Sequence, residues 1–105
     1  AASGHYFENF VVGELMRNNA YGESVGNMSY YRDTNQKEID VVIEEDGMLH
    51  PIEIKKATNP EKKIVKAFNV LKTSNNILGK GLVICMTDRV FPIDENNILV
   101  PASII

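Results

Sequence analysis

Three residues in this chain have types and spacing that suit joint chemistry: Asp40, then Glu53-Ile54-Lys55, with the second carboxylate two residues before a lysine. Asp40 and Glu53 belong to segments that can fold against each other. Directly opposed on neighbouring strands, their Cβ atoms stand about 5 Å apart. Coulomb's law then gives a repulsion of about 0.8 kcal/mol in water and about 3 kcal/mol at an effective dielectric of 20. A bound divalent cation would reverse that sign, and Lys55 could offset part of it without any metal. The competing reading is a solvated, charged outer face carrying a Glu38–Lys55 cross-strand ion pair.

The element that must position these groups runs from Glu38 to Lys55. Ile39, Val41 and Ile43 alternate with Glu38, Asp40 and Glu44, and Ile52-Glu53-Ile54-Lys55 alternates again. That period of two is the mark of half-buried strands. Asp46-Gly47 between them is a strong hairpin signal, because both residues accept the positive φ of a type I′ turn. Folding on that turn puts residue 45 opposite 48, Val41 opposite Ile52, Asp40 opposite Glu53, and Glu38 opposite Lys55. One face is then aliphatic, with Ile39 facing Ile54, and the other carries Asp40, Glu53 and Lys55. A slip of one residue would turn the aliphatic set to solvent, so burial holds the register.

The chain of 105 residues suits one domain with one core. Its hydrophobic content of 44% and charged content of 24% are ordinary for a globular protein. No apolar run approaches the ~18 residues of a membrane span, and no signal peptide is visible. The single Cys85 lies in the apolar run at 82–86, so it reads as a small buried thiol. These features suit a reducing, cytoplasmic compartment. The net charge of −3 speaks against bulk nucleic-acid affinity, yet it is unevenly spread. Between Lys55 and Lys80 seven lysines face one acid, Glu61. A basic segment beside an acidic cluster suits phosphates held near a metal, although lysines that merely solvate a helix face give the same composition.

Along the chain, Phe7, Phe10, Val11, Val12, Leu15 and Met16 recur at helical spacing over residues 5–19. Glu8 shares a stripe with Val12 and Leu15, which places a carboxylate at the edge of the buried face. Glu14 points elsewhere, toward solvent. His5 reads as a surface or capping residue. Asn18-Asn19 and Gly22 end the helix. Residues 28–32 read as a strand and 33–36 as a turn. Thr58 with Glu61 fits a capping box, or Asn59 caps with Pro60 at the first helical position. Ile64, Ala67, Phe68 and Leu71 form the apolar stripe of a second helix. Gly79-Lys80-Gly81 is a turn without phosphate-loop spacing. Residues 82–86 read as a strand covered on both faces. Short edge strands follow at 90–93 and 98–100, where Pro92 and Pro101 fit edges better than centres. The expected order is α-β-β-β-α-β-β.

That order, with Asp40 and then Glu53-Ile54-Lys55 on the next strand, resembles the PD-(D/E)XK nuclease superfamily. Ile39, not proline, precedes Asp40. The phrases HYFENFVVGEL, YYRDTNQKEIDVVIEEDG and PIEIKKAT further resemble the C-terminal domain of unknown function attached to a group of bacterial and archaeal AAA+ ATPases. The resemblance covers nearly the whole chain. It implies an α/β (α+β) restriction-endonuclease-like core with a central mixed sheet flanked by helices. It also implies that residues 1–105 are one nuclease-like domain excised from the C-terminal part of a longer ATPase chain.

By that resemblance Asp40, Glu53 and the backbone carbonyl of Ile54 would bind Mg²⁺ or Mn²⁺, Lys55 would orient or activate a water, and Glu8 would complete the site. Gln36 and Lys56 would be phosphate contacts. The expected activity is metal-dependent phosphodiester hydrolysis on nucleic acid, DNA before RNA. The alternative is a non-catalytic nucleic-acid-docking or protein-interaction module of the ATPase, and a third reading is a purely structural domain. No membrane partner is expected, and the sequence leaves the oligomeric state open.

Overall fold

A computed structural model describes residues 7–14 and 27–104. A helix, α1, covers residues 7–14. The strands are β1 (Asn27–Arg32), β2 (Glu38–Glu45), β3 (Met48–Ile54), β4 (Ile77–Leu78), β5 (Gly81–Cys85), β6 (Phe91–Pro92) and β7 (Asn97–Pro101). A 3-10 helix spans Lys62–Leu71, and a short one spans Ala102–Ile104. The seven strands form one mixed sheet in the order β1-β2-β3-β5-β7-β6, with β4 beside β3. β1, β2 and β3 are antiparallel, β5 and β7 continue parallel to β3, and β6 closes the edge antiparallel to β7. This is the expected α+β class with a central mixed sheet.

The β2–β3 hairpin follows from its turn. Asp46 has φ 53° and Gly47 φ 79°, the paired positive values of a type I′ turn, whose twist matches that of the strands. The register is Glu45–Met48, Glu44–Leu49, Ile43–His50, Val42–Pro51 and Val41–Ile52, as the alternation predicts. The expected aliphatic face is only partly realised. Val41, Ile52 and Ile54 pack with Val11 and Ile84 on the α1 side of the sheet. Ile39, only 1% exposed, packs on the other side with Val42, Phe68, Leu71 and Val83. The cause is an irregularity in the β1–β2 ladder. Ser29 pairs with Val42, but Tyr31 pairs with Ile39, so Asp40 and Val41 together oppose the single Tyr30. An extra residue in one strand reverses the alternation beyond it and re-aims the side chains at the break.

The two apolar clusters explain the layers. α1 covers one face through Val11, with Phe7 and Val12 beside it. Phe10, which the helical spacing assigns to that stripe, is 60% exposed, because it lies about 100° around the helix from Val11. Glu14 is half-buried rather than solvated. His5, Leu15, Met16 and the helix end at 18–22 lie outside the described residues. The 3-10 helix covers the opposite face with Phe68 and Leu71. The sequence pattern predicts an α-helix here, capped by Thr58 or Asn59. Instead Glu61 is the N-cap and makes no side-chain capping bond. Val65, Phe68 and Leu71 recur every three residues, the period of a 3-10 turn.

β5 is the buried centre, with Val83, Ile84 and Cys85 all 0% exposed. Gly81 leads it in because an added Cβ would clash with Asn97 and lie 2.9 Å from the Phe68 ring. β7, expected at an edge, is interior, held between β5 and β6. Its Pro101 is tolerated as the last residue of the strand, opposite Cys85.

Candidate functional site

The candidate residues meet where the β2–β3 ladder ends. Strand pairing is regular up to Val41–Ile52. In an antiparallel hairpin with this register, alternate pairs exchange backbone hydrogen bonds, and the Ile54 N–H would next donate to the Ile39 carbonyl. It donates instead to Asp40 Oδ2, at 2.8 Å. The Lys55 N–H donates to the Ile84 carbonyl at 2.9 Å, so the peptide groups of Lys55 face β5. The N–H and C=O of Ile54, one residue earlier, therefore face β2 and the Asp40 carboxylate. Asp40 sits at the ladder irregularity, which frees its side chain from the regular alternation and lets it cap the β2-facing edge of β3 where the pairing with β2 ends.

Glu53 is buried, 9% exposed, and its side chain is hydrogen-bonded to that of Asp40. Its pKa is pushed up to about 9, first by burial, then by the hydrogen bond to Asp40 and by the Asp40 charge. The Lys55 charge opposes the shift, and the Glu8 charge adds to it. At neutral pH Glu53 therefore keeps its proton and donates it to the Asp40 carboxylate. The repulsion expected between two opposed carboxylates is relieved by one shared proton.

Asp40, Glu53 and Lys55 line one cleft of 540 Å³, with Gln36 and Lys37 at the same cleft and Ala67 of the 3-10 helix beside them. Glu8, on α1, lines an adjoining cavity of 260 Å³ together with Asp40, Glu38 and Tyr31. Glu8, Asp40, Glu53 and Lys55 are thus brought to one region, at the open end of the hairpin between the two layers.

The Glu38–Lys55 pair is not what forms. Glu38 pairs with Arg32 of β1 at 3.1 Å, and both side chains are more than half exposed, at 57% and 66%. The β1–β2 ladder brings Arg32 opposite Glu38, so the acid is engaged across the other neighbour of β2. Lys55 is left to face the cleft. Lys56 is exposed and does not line it.

Sequence reasoning did not single out Lys37 or the shape of the loop that carries it. Asp33 organises that loop: its Oδ1 accepts the N–H groups of Asn35 and Lys37 at 2.9 and 3.0 Å, and its Oδ2 accepts the Tyr31 hydroxyl at 3.0 Å. The backbone bond from Lys37, together with these partners, holds the Asp33 carboxyl below its ordinary pKa. Gln36 is forced to φ 63°, a left-handed conformation uncommon for a residue other than glycine. The Asp33-x-x-Gln36 turn was the available signal; an isolated lysine such as Lys37 offers none.

Among the described residues no group of three or more His, Cys, Asp or Glu side chains is arranged to hold a metal ion. A cation here would have two carboxylates, Asp40 and Glu53, and the Ile54 carbonyl, with water or substrate oxygens for the rest. That donor set is all oxygen, and it suits a hard cation that retains waters. The Asp40–Glu53 pair fits one, because a cation can replace the proton that the two carboxyls now share.

Among the described residues no helix is long and apolar enough to cross a membrane. No curated protein matches the chain. The description of one protein family, a domain of unknown function (DUF4143), matches residues 3–105. That match spans nearly the whole length, and on it the chain belongs to the DUF4143 family.

Proposed function

We propose that this domain is a divalent-cation-dependent phosphodiesterase of the PD-(D/E)XK kind, acting on nucleic acid, DNA before RNA. It would serve as the C-terminal partner of an AAA+ ATPase module in a longer, cytoplasmic chain. One observation carries this reading: Asp40, Glu53 and Lys55 line a single cleft at the end of the hairpin. Asp40, Glu53 and the Ile54 carbonyl would hold Mg²⁺ or Mn²⁺, and the ion, once bound, would polarise a phosphoryl oxygen and lower the pKa of a water.

The chain's own residues do the rest. Asp40 fixes the Ile54 peptide through its N–H, which holds the neighbouring carbonyl in place. Glu53 gives up its proton when its charge is matched. The Lys55 ammonium, at the same cleft, orients the attacking water and stabilises the negative charge that grows on the phosphoryl oxygens. Glu8 shapes the field from the α1 side, since its charge acts on Glu53. Gln36 and Lys37 stand at the cleft as contacts for a phosphate.

A second reading, a docking module without catalysis, has its own support in the exposed Lys62, Lys63 and Lys66 of the 3-10 helix. A nuclease assay on the full-length chain with Mg²⁺ and Mn²⁺ separates the two. The proposal expects cleavage that chelation stops and that Lys55→Ala lowers by about two orders of magnitude or more. Nucleic-acid binding without any cleavage would overturn it in favour of docking.

A further inference from the structure

Beside the acid cleft lies a cavity of a different character. It measures 350 Å³, within the range of about 300–1,000 Å³ of small-molecule sites. Ala57, Pro60 and Ile64 give it an apolar lining, with Lys55, Glu61 and Lys63 as its charged members. Glu61 and Lys63 form an ion pair of 3.1 Å, and each is 74% exposed, so they mark its mouth. Lys55 lines both this cavity and the acid cleft. Phosphodiester hydrolysis as proposed above asks nothing of the apolar side.

From this arrangement we infer that the cavity seats one unpaired base of a single-stranded nucleic acid whose phosphate is held at Lys55. The inference rests on the phosphodiesterase reading and narrows its substrate class. An occupant shared between the two spaces needs an anionic group at Lys55 and, a short distance away, a compact apolar body. A nucleotide has both. Ala57, Pro60 and Ile64 would bury the faces of the ring. Glu61 and Lys63 meet the cavity through their aliphatic stems, and their charged ends pair with each other at its mouth, so the site takes the ring by its faces and not by its edge. Lys56, Lys62 and Lys66, all exposed nearby in sequence, complement the phosphates on either side. A base inside a duplex has its faces stacked and its edge paired, and extruding it carries a cost that a single strand avoids.

The test is binding of the full-length protein to labelled DNA without metal, in chelator and at low salt, read by fluorescence anisotropy. Three probes are compared: a single strand of about ten nucleotides, the same strand with abasic sites, and its duplex. The intact strand should bind about tenfold or more tightly than the abasic strand, and more tightly than the duplex. Ala57→Leu, which fills the cavity, should abolish the difference between intact and abasic strands. If that variant does not fold, the comparison on the wild type decides alone. Equal affinity for intact and abasic strands overturns the inference, as does preference for duplex. A base preference here, with no cleavage in the nuclease assay with Mg²⁺ and Mn²⁺, would instead remove the hydrolytic reading and leave the cavity's role standing. Metal-dependent cleavage in that assay, with equal binding of intact and abasic strands here, would do the opposite.

Discussion

Replacing Glu53 with glutamine should make the metal-free protein more stable, by an amount that grows with pH. Glu53 has an ordinary carboxyl pKa near 4.5 when unfolded and about 9 when folded. Between those values the folded state holds a proton that the unfolded state has lost. Stability therefore falls as pH rises above 4.5, and the loss is complete only above 9. At pH 7 the distance of 2.5 above the unfolded value of 4.5 corresponds to at most ~3.4 kcal/mol. The cleft is open to solvent on one side, so we expect about 1–2 kcal/mol.

Glutamine keeps an N–H donor for the Asp40 carboxylate and has nothing to ionise. Urea unfolding of wild type and Glu53→Gln at pH 5, 7 and 8.5 measures the difference. The two should be close at pH 5, where little of the penalty is felt, and should diverge steadily above it. A difference independent of pH, or a glutamine variant less stable at pH 7, would refute the assignment of the shared proton to Glu53.

Asp40 should behave differently. Asp40→Ala strands the buried Ile54 N–H and should cost about 1–3 kcal/mol, whereas Asp40→Asn keeps an acceptor for it and should leave metal-free stability unchanged or slightly raised, as chemical unfolding will show. Gly81→Ala should cost about 1–3 kcal/mol through the clash with Asn97 and Phe68; a neutral result in thermal melts would mean that Asn97 and the Phe68 ring give way to a methyl group at the β5 entrance. Because Glu53 is protonated at pH 7, binding of Mg²⁺ or Mn²⁺ should release close to one proton per ion, measurable by calorimetry in buffers of different ionisation enthalpy, and affinity should rise with pH up to about 9.

Much of the site could be read from the sequence because its main determinant is local. Asp46-Gly47 admits few turn types, and alternation on both sides then specifies the cross-strand pairs from Glu45–Met48 to Val41–Ile52 and the meeting of Asp40 with Glu53. Burial of one face leaves no competing register. What could not be read depends on residues distant in sequence. The reversal of Ile39 arises from the shifted ladder opposite Tyr30, and nothing in residues 38–45 alone announces it. Arg32 takes Glu38 for the same reason: β2 has two neighbours, and hairpin reasoning sees only one. The 3-10 helix was ambiguous because apolar residues three and four apart fit either helical period. The interior place of β7 rests on parallel pairing with β5, a long-range contact that the proline at its end argued against.

The central claim is that Asp40 and Glu53 form a divalent-cation site. Calorimetric titration of the metal-free wild type with Mn²⁺ and with Mg²⁺, beside Asp40→Asn, tests it most directly. We predict saturable binding of one ion to the wild type and its loss in Asp40→Asn. At tenfold over Kd the ion should add ~1.4 kcal/mol of stability, or roughly a 4–8 °C rise in melting temperature. Absence of binding by both metals, or equal binding by the variant, would contradict the account.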